Sequence, residues 1–298
     1  MTVAPGDRSL RPMLALVAVT GVWGLTFVQV KDAVALYPVF AFLALRFGIA
    51  ALALAPPSIT RVRGIGRGGL GAAVFAGLLL AVGYALQTFG LERTTVSSAG
   101  FVTGMYVVLT PLIALAVYRM HVAPAAWGGV ALATIGLAML AGVHGGSLVG
   151  DVLVLGGAAV YSLQIVVMER YAQLYDPLAF TFVEMLAAAV GLGVCALPHL
   201  AVPRGWTVWG ALFVTGIFAS ALAFLIQMWA QQRTSATRTA LVFTLEPVFA
   251  AGFGYWLAGD RLGPIGALGC AVIMLGIVLA EPVAADVLVR LLRRPAAS

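Results

Sequence analysis

Three ionisable side chains fall inside otherwise apolar stretches of the sequence: Arg46, Glu184 and Glu246. A charge at the centre of a bilayer costs at least about 2.5–3.5 kcal/mol on insertion scales, so such residues usually face a cavity or a partner. Arginine offers a planar fork of donors that binds a carboxylate, whereas a glutamate can accept an ammonium group or carry a proton. We therefore expect Arg46 and Glu184 to bind substrate, and Glu246 or Glu184 to couple to protons.

Other interpretations of these charges stay open from the sequence. Arg46 and Glu184 could form a buried ion pair that holds two helices together, with no substrate involved. Arg46 could also lie nearer a membrane interface and extend its head group outward. Glu246 is ambiguous in the same way, because it could lie closer to the cytoplasmic interface than to the centre of its span.

A second set of side chains could line an aromatic, hydrogen-bonding cavity. Each of them alone is more often found in core packing or in a hydrogen bond between helices. Together with the charges they are the predicted substrate-binding residues: Trp23, Tyr84, Gln87, Tyr106, Tyr161, Gln164 and Gln227.

Two prolines lie inside apolar spans, Pro111 and Pro247. Proline lacks an N–H and clashes with the carbonyl four residues earlier, which would free the carbonyls of Val107 and Phe243. A freed carbonyl within a bilayer must meet protein or a water-lined cavity. The prolines therefore predict a pair of kinked helices beside a substrate path, although a packing kink without a ligand is an equal alternative.

The composition restricts the class of protein. Of 298 residues, 62% are hydrophobic and only 9% are charged, against roughly 25% charged in soluble domains. No Walker A, HExxH or GxSxG motif occurs, and the three histidines lack metal-ligand spacing. We expect an all-α integral membrane protein that is not an enzyme and has no cofactor, metal or nucleic-acid partner. Cys195 and Cys270 are expected to be small buried hydrophobic residues.

Ten apolar spans, each long enough to cross a bilayer core of about 30 Å, recur along the chain. They lie at about residues 12–30, 38–56, 68–91, 96–118, 124–143, 150–168, 177–197, 206–229, 237–258 and 264–280. Loops on the side of the termini carry twelve lysines and arginines, and loops on the other side carry four. The positive-inside rule therefore predicts that both termini are cytoplasmic.

The sequence repeats itself. Gln87 and Gln227 are 140 positions apart, and QxxxxxRT begins at both. Arg46 and Glu184 are 138 apart, which we attribute to a loop two residues longer in the second half. We expect one five-helix repeat at 1–143, a second at 144–283 and a basic cytoplasmic tail at 284–298. An odd number of spans per repeat makes the second unit inverted, a design common in alternating-access carriers.

Three stretches resemble the EamA family of the drug/metabolite transporter superfamily: WGLTF at residue 23, TTVSSAGFVTGMYVVLTPL at residue 94, and TSATRTALVFTLEPVFAAGFGYWLAGDRLG at residue 234 with its GxLGxxVIxxGI continuation. The similarity extends over essentially the whole chain. The family's GER after the ninth span is Gly259-Asp260-Arg261 here, and its first-half counterpart is Arg119-Met120-His121, a departure from the pattern.

The resemblance implies a multi-pass carrier of the cell membrane, a monomer or a homodimer, that exports a small metabolite such as an amino acid. Efflux of cationic drugs is the alternative within transporters; it would require Glu184 or Glu246 but not Arg46. A membrane-embedded enzyme or receptor is the alternative of a different class. The loops are too short for a soluble domain, and no polar catalytic constellation is present.

Overall fold

The computed structural model describes residues 7–120, 122–141, 147–199, 201–253, 256 and 263–280, and these residues form helices and no strands. The first repeat contains α1 (Asp7–Val34), α2 (Val39–Val62), α3 (Gly66–Leu91), α4 (Val96–Gly104), α5 (Tyr106–Tyr118) and α6 (Pro124–Ala141). The second contains α7 (Leu148–Ala172), α8 (Pro177–Ala196), α9 (Trp206–Phe213), a π-helix (Val214–Leu222), α10 (Ala223–Gln231), α11 (Ala236–Phe243), α12 (Leu245–Phe253) and α13 (Pro264–Ala280).

Six segments within the described residues are long and apolar enough to cross a membrane. One of them, Val39–Leu91, has 53 residues and contains both α2 and α3, joined by a 3-10 turn at Arg63–Ile65. The helices Pro124–Met139 and Pro264–Ala280 are apolar but shorter. The outer surface is apolar too, with large exposed side chains such as Leu52 and Phe75, as expected of a surface that faces lipid.

The helix α2 runs further than the sequence predicts. It continues through Pro56 and Pro57 to Val62, so the predicted end at residue 56 was too early. Packing against α8 accompanies this continuation, since the buried Ser58 hydroxyl donates to the Leu178 carbonyl at 3.1 Å. Tertiary contacts here outweigh the local preference of proline for a helix end.

The fourth and ninth predicted spans are each broken into two helices. The breaks fall at Met105 and Thr244, 139 positions apart, and therefore follow the repeat more closely than the prolines do. Pro111 lies within α5, but Pro247 is the third residue of α12. The first turn of a helix has no intrahelical partner for its N–H groups, so Pro247 begins a helix instead of removing a bond from its interior.

Equivalent helices of the two repeats pack against each other across small residues. A Cβ at Gly129 would lie 2.7 Å from the Gly276 carbonyl oxygen, and one at Gly136 would lie 2.6 Å from that of Gly269. The later glycine of α6 meets the earlier glycine of α13, so the two helices run antiparallel. Close backbone approach through small residues is the usual way in which membrane helices pack.

Hydrogen bonds join neighbouring helix connections at each of the two ends of the bundle. At the end where α1 begins, which we call the proximal end, the Arg61 guanidinium meets the Asp176 carboxylate at 3.2 Å and Gln232 donates to the Ala172 carbonyl at 3.0 Å. At the distal end, where α1 ends, Lys31 donates to the Thr94 carbonyl at 3.1 Å. Successive connections between helices therefore lie at alternate ends of the bundle, as they must when each helix runs from one end to the other.

Candidate functional site

A cavity lies between the two halves of the chain. Its walls come from α1, α2, α3, α4, α5, α7, α10, α11 and α12. The lining residues are Trp23, Thr26, Phe27, Val30, Arg46, Tyr84, Gln87, Thr88, Leu91, Thr103, Tyr106, Tyr161, Gln164, Ile165, Phe224, Gln227, Phe243 and Glu246.

Every predicted binding side chain except Glu184 lines this cavity, and Glu246 lines it as well. The question left open by the sequence, whether Glu246 faces a cavity, is thus answered by the geometry. Glu184 is fully buried behind the wall and reaches the cavity only through its neighbour Gln164. Pro111 and Pro247 are not among the lining residues.

Most of the lining consists of residues that occupy equivalent positions in the two repeats. With a spacing of 138 or 140 positions, seven such pairs face the cavity: Trp23 and Tyr161, Thr26 and Gln164, Phe27 and Ile165, Tyr84 and Phe224, Gln87 and Gln227, Thr103 and Phe243, and Tyr106 and Glu246. Both repeats therefore line the cavity, largely through residues at equivalent positions.

Arg46 is buried and forms no salt bridge among the described residues, although its charge interacts with Glu246. Its Nε donates to Ser220 Oγ at 2.8 Å, and its Nη2 donates to Tyr84 Oη at 3.2 Å and to the Ala219 carbonyl at 3.3 Å. Its guanidinium carbon lies 4.5 Å from the centre of the Tyr84 ring. The sequence hypothesis of an Arg46–Glu184 ion pair is wrong, because Glu184 accepts instead from Gln164 Nε2 at 2.9 Å.

A chain of amides forms the wall behind Gln164. Gln227 Nε2 donates to Gln164 Oε1 at 3.2 Å and to Gln231 Oε1 at 3.0 Å, and Gln231 Nε2 donates to the Ile165 carbonyl at 2.8 Å. Two buried acceptors of this wall, Glu184 Oε2 and Gln227 Oε1, have no hydrogen-bond partner within the part of the chain that the structure describes. An unpaired buried acceptor costs about 1–3 kcal/mol, so the wall has free capacity to accept hydrogen bonds.

Glu246 and Tyr106 are neighbours in the cavity wall. Tyr106 Oη donates to Glu246 Oε2 at 3.5 Å, and the two residues are 140 positions apart, so one unit of the repeat supplies a phenol where the other supplies a carboxyl. Glu246 lies in the first turn of α12, where the positive end of the helix dipole favours a negative charge. The break at Thr244 therefore places the N-terminal end of α12, and with it Glu246, at the cavity.

Aromatic rings fix the remaining geometry of the cavity. The Trp23 ring lies 4.8 Å from the Phe243 ring and 5.7 Å from the Phe224 ring, and the Tyr84 ring lies 5.3 Å from the Tyr161 ring. Trp23 Nε1 donates to the Ala219 carbonyl at 2.8 Å. Rings held in this way leave the cavity apolar over much of its wall and polar at a few defined positions, as small-molecule sites usually are.

Sequence reasoning missed Ser220 and the Ala219 carbonyl, both in the π-helix. The repeat spacing changes near these residues, but only the structure shows where. A Cβ at Gly77 would contact the Glu184 carbonyl, and one at Gly216 would lie 3.0 Å from the Arg46 carbonyl, so the two glycines are structurally equivalent at a spacing of 139. The spacing reaches 140 by Phe224. One extra residue therefore lies within this helix, and the expectation that a longer loop accounts for both residues was wrong.

Cys195 and Cys270 are free thiols; Cys195 is exposed and Cys270 half-buried. The expectation that both are buried was wrong, because a surface that faces lipid accepts apolar side chains as readily as a core does. No group of three metal-ligating side chains occurs among the described residues. Of the expected charged motifs, His121 and Gly259-Asp260-Arg261 lie outside the described residues, as does the tail from residue 281.

The chain matches the family model of the EamA-like transporter family twice, at residues 10–142 and 148–280. An uncharacterized transporter of Archaeoglobus fulgidus is 32% identical over 93% of this chain and 87% of its own length. The uncharacterized inner membrane transporter YedA of Escherichia coli is 28% identical over 94% of this chain and 97% of its own. A solved crystal structure shares the fold with a TM-score of 0.76 at 18% identity, over 95% of this chain and 99% of that one. With both halves matched to the same family model, the chain belongs to the EamA-like transporter family.

Proposed function

We propose that this protein is a secondary transporter that exports a small metabolite such as an amino acid by alternating access through the central cavity. The observation that carries the proposal is the cavity wall, which both repeats line with equivalent residues such as Gln87 and Gln227. A site shared between two similar units can open to either side when one unit rocks against the other. The direction of export rests on the family resemblance alone.

We further propose ten membrane crossings in two inverted five-helix repeats, at 1–143 and 144–283, with a basic tail at 284–298. Three observations support this arrangement: the two matches to the family model, the antiparallel packing of α6 on α13, and the alternation of connections between the two ends of the bundle. The distribution of lysine and arginine supports cytoplasmic termini in the inner or plasma membrane.

The charges in the cavity support a substrate with both an anionic and a cationic group. Arg46 forms no salt bridge among the described residues; its charge interacts with Glu246, which accepts a long hydrogen bond from Tyr106. A buried charge without a salt bridge is costly, and a zwitterionic substrate would pair with both. Export of cationic compounds stays the alternative, because Glu246 and the aromatic rings by themselves suit a cation.

The test is transport by the purified full-length protein in liposomes. The panel contains neutral, acidic and basic amino acids and lipophilic cations, each measured with and without a proton gradient. We expect zwitterions to be transported and Arg46→Gln to abolish their transport, with the surface variant Arg233→Gln as the matched control. Transport of cations that is unaffected by Arg46→Gln would establish the alternative, and a lack of transport across the whole panel would contradict the proposal.

A further inference from the structure

The π-helix Val214–Leu222 is a departure from equivalence between the two repeats beside the cavity. The stretch between Gly77 and Tyr84 is one residue shorter than the stretch between their counterparts Gly216 and Phe224. An extra residue inside a helix is accommodated as a π-bulge, and such bulges are frequent at functional sites. At the end of this bulge the Ala223 N–H bonds the Phe218 carbonyl, five residues earlier.

The bulge supplies acceptors for two side chains that line the cavity, Trp23 and Arg46. The Ala219 carbonyl accepts two side-chain donors, Trp23 Nε1 at 2.8 Å and Arg46 Nη2 at 3.3 Å, and Ser220 Oγ accepts from Arg46 Nε at 2.8 Å. The counterpart helix α3 of the first repeat is α-helical throughout Gly66–Leu91, and Tyr161, the counterpart of Trp23, donates instead to a side chain, Gln87 Oε1, at 2.9 Å. The backbone acceptor for these donors is thus particular to the second repeat.

These contacts hold the guanidinium of Arg46 in one orientation. Nε and Nη2 are engaged by the π-helix and by Tyr84, whereas Nη1 has no protein partner among the described residues. Arg46 is only 3% exposed and still lines the cavity. A buried guanidinium with unpaired N–H groups on a cavity wall is a site for an anion.

We propose that the π-helix is the element that makes the cavity selective for a carboxylate, with Ser220 and the Ala219 carbonyl as positioning groups for Arg46. They hold Nε and one side of Nη2, so that Nη1 stays turned to the cavity for an incoming carboxylate. This inference rests on the proposed function only in placing the substrate in this cavity; it adds the specificity-determining element. The corresponding helix of the first repeat, α3, has no such role in the proposal.

The experiment uses the purified full-length protein and two matched triplets of probes. These are leucine, 3-methylbutylamine and 4-methylpentanoate, and phenylalanine, phenethylamine and 3-phenylpropionate. Within a triplet the compounds differ in the carboxylate or the amine while the apolar part stays similar. Binding is measured as the shift in thermal unfolding temperature with ligand concentration, and transport is measured separately in liposomes.

We expect the carboxylate-bearing probes of at least one triplet to bind the wild type, and Ser220→Ala to weaken them about tenfold, as loss of a hydrogen bond to a charged group does. The amine should bind equally to both. Ser220→Thr keeps a hydroxyl and should restore carboxylate binding. Ser58→Ala removes a buried hydroxyl away from the cavity and should leave the preference unchanged.

Deletion of Phe218, whose side chain is exposed on the surface of the π-helix, restores the spacing of the first repeat and should abolish the preference for carboxylates. Equal carboxylate binding by wild type and Ser220→Ala, or binding of amines alone, would overturn the inference. Binding of carboxylates without their transport would contradict the proposed function and leave the inference standing. Amines that are transported while no carboxylate binds would overturn the inference and favour the alternative function, export of cationic compounds.

Discussion

At the scale of single residues, the two buried glutamates have different environments. Glu184 is fully buried, accepts from Gln164 and has one oxygen without a partner, whereas Glu246 lines the cavity beside Tyr106. Of the two, Glu246 is therefore the one that faces the cavity. Glu184 holds the amide chain that positions Gln164 and Gln227.

Glu184→Gln should leave transport within about twofold of wild type, because an amide oxygen still accepts from Gln164 at nearly the same place. Glu184→Ala should lower the stability of the folded protein by about 1–3 kcal/mol, because it leaves the Gln164 amide unpaired and opens a void. Thermal unfolding in detergent and initial transport rates measure the two effects. A loss of transport in a stably folded Glu184→Gln protein would assign Glu184 to the substrate site after all.

Glu246→Gln should remove the dependence of transport on an imposed proton gradient, because the neutral amide cannot exchange a proton. Substrate exchange across liposomes without a gradient should persist. Glu92→Gln, at the distal end of α3 and outside the cavity, is the matched control. A gradient response that survives in Glu246→Gln would exclude this residue as the coupling site.

At the scale of helices, the close approach of α6 and α13 depends on the lack of side chains at four glycines. A Cβ at Gly136 would lie 2.6 Å from a backbone oxygen and 2.7 Å from the Ile273 side chain, and neither α6 nor α13 can yield without moving as a whole. Gly128, on the same helix, has nothing within 4 Å of its would-be Cβ. Alanine substitutions at Gly136 and at Gly128 therefore separate the effect of helix packing from the effect of helix propensity.

Gly136→Ala should destabilise the protein by about 1–3 kcal/mol, the usual cost of overpacking. Gly128→Ala should be neutral or stabilising by up to about 1 kcal/mol, because alanine loses less backbone entropy in a helix. Midpoints of thermal unfolding in one detergent give the comparison directly. Equal midpoints for the two variants would show that α6 and α13 do not approach as closely as described.

At the scale of the whole molecule, the bundle has two chemically different ends. The connections at the proximal end carry Arg61, Arg63 and Arg67, with Arg170 and Arg233 near them, whereas the distal end has few cations. A polybasic end stays on the cytoplasmic side during insertion. The two ends therefore predict an orientation that can be measured.

Two exposed positions in short connections report this orientation, Leu174 at the proximal end and Val202 at the distal end. In a background with Cys195→Ala and Cys270→Ala, a membrane-impermeant maleimide added to intact cells should label Val202→Cys and leave Leu174→Cys unlabelled. Permeabilised cells should show labelling of both. The opposite pattern in intact cells would invert the proposed orientation.

The sequence alone determined the class of the protein, the repeat and most of the cavity residues. The reason is physical: a charge, an amide or a phenol in an apolar span must face a cavity or a partner, so Arg46, Gln87 and Tyr106 could be selected without coordinates. The spacing of 140 positions likewise survives in the chain because both units pack through the same helix faces. Fold and family follow from such local patterns.

Only the tertiary structure decided which partner each polar group has. Arg46 takes Ser220 and a backbone carbonyl instead of Glu184, and Glu184 takes Gln164, because a partner depends on the rotation of helices that are distant in sequence. The π-helix was equally hidden, since one extra residue gives the same shift in spacing whether it lies in a loop or in a helix. The contacts of Gly77 and Gly216 with equivalent carbonyls place that residue within the helix, and no property of the sequence by itself reports such a contact.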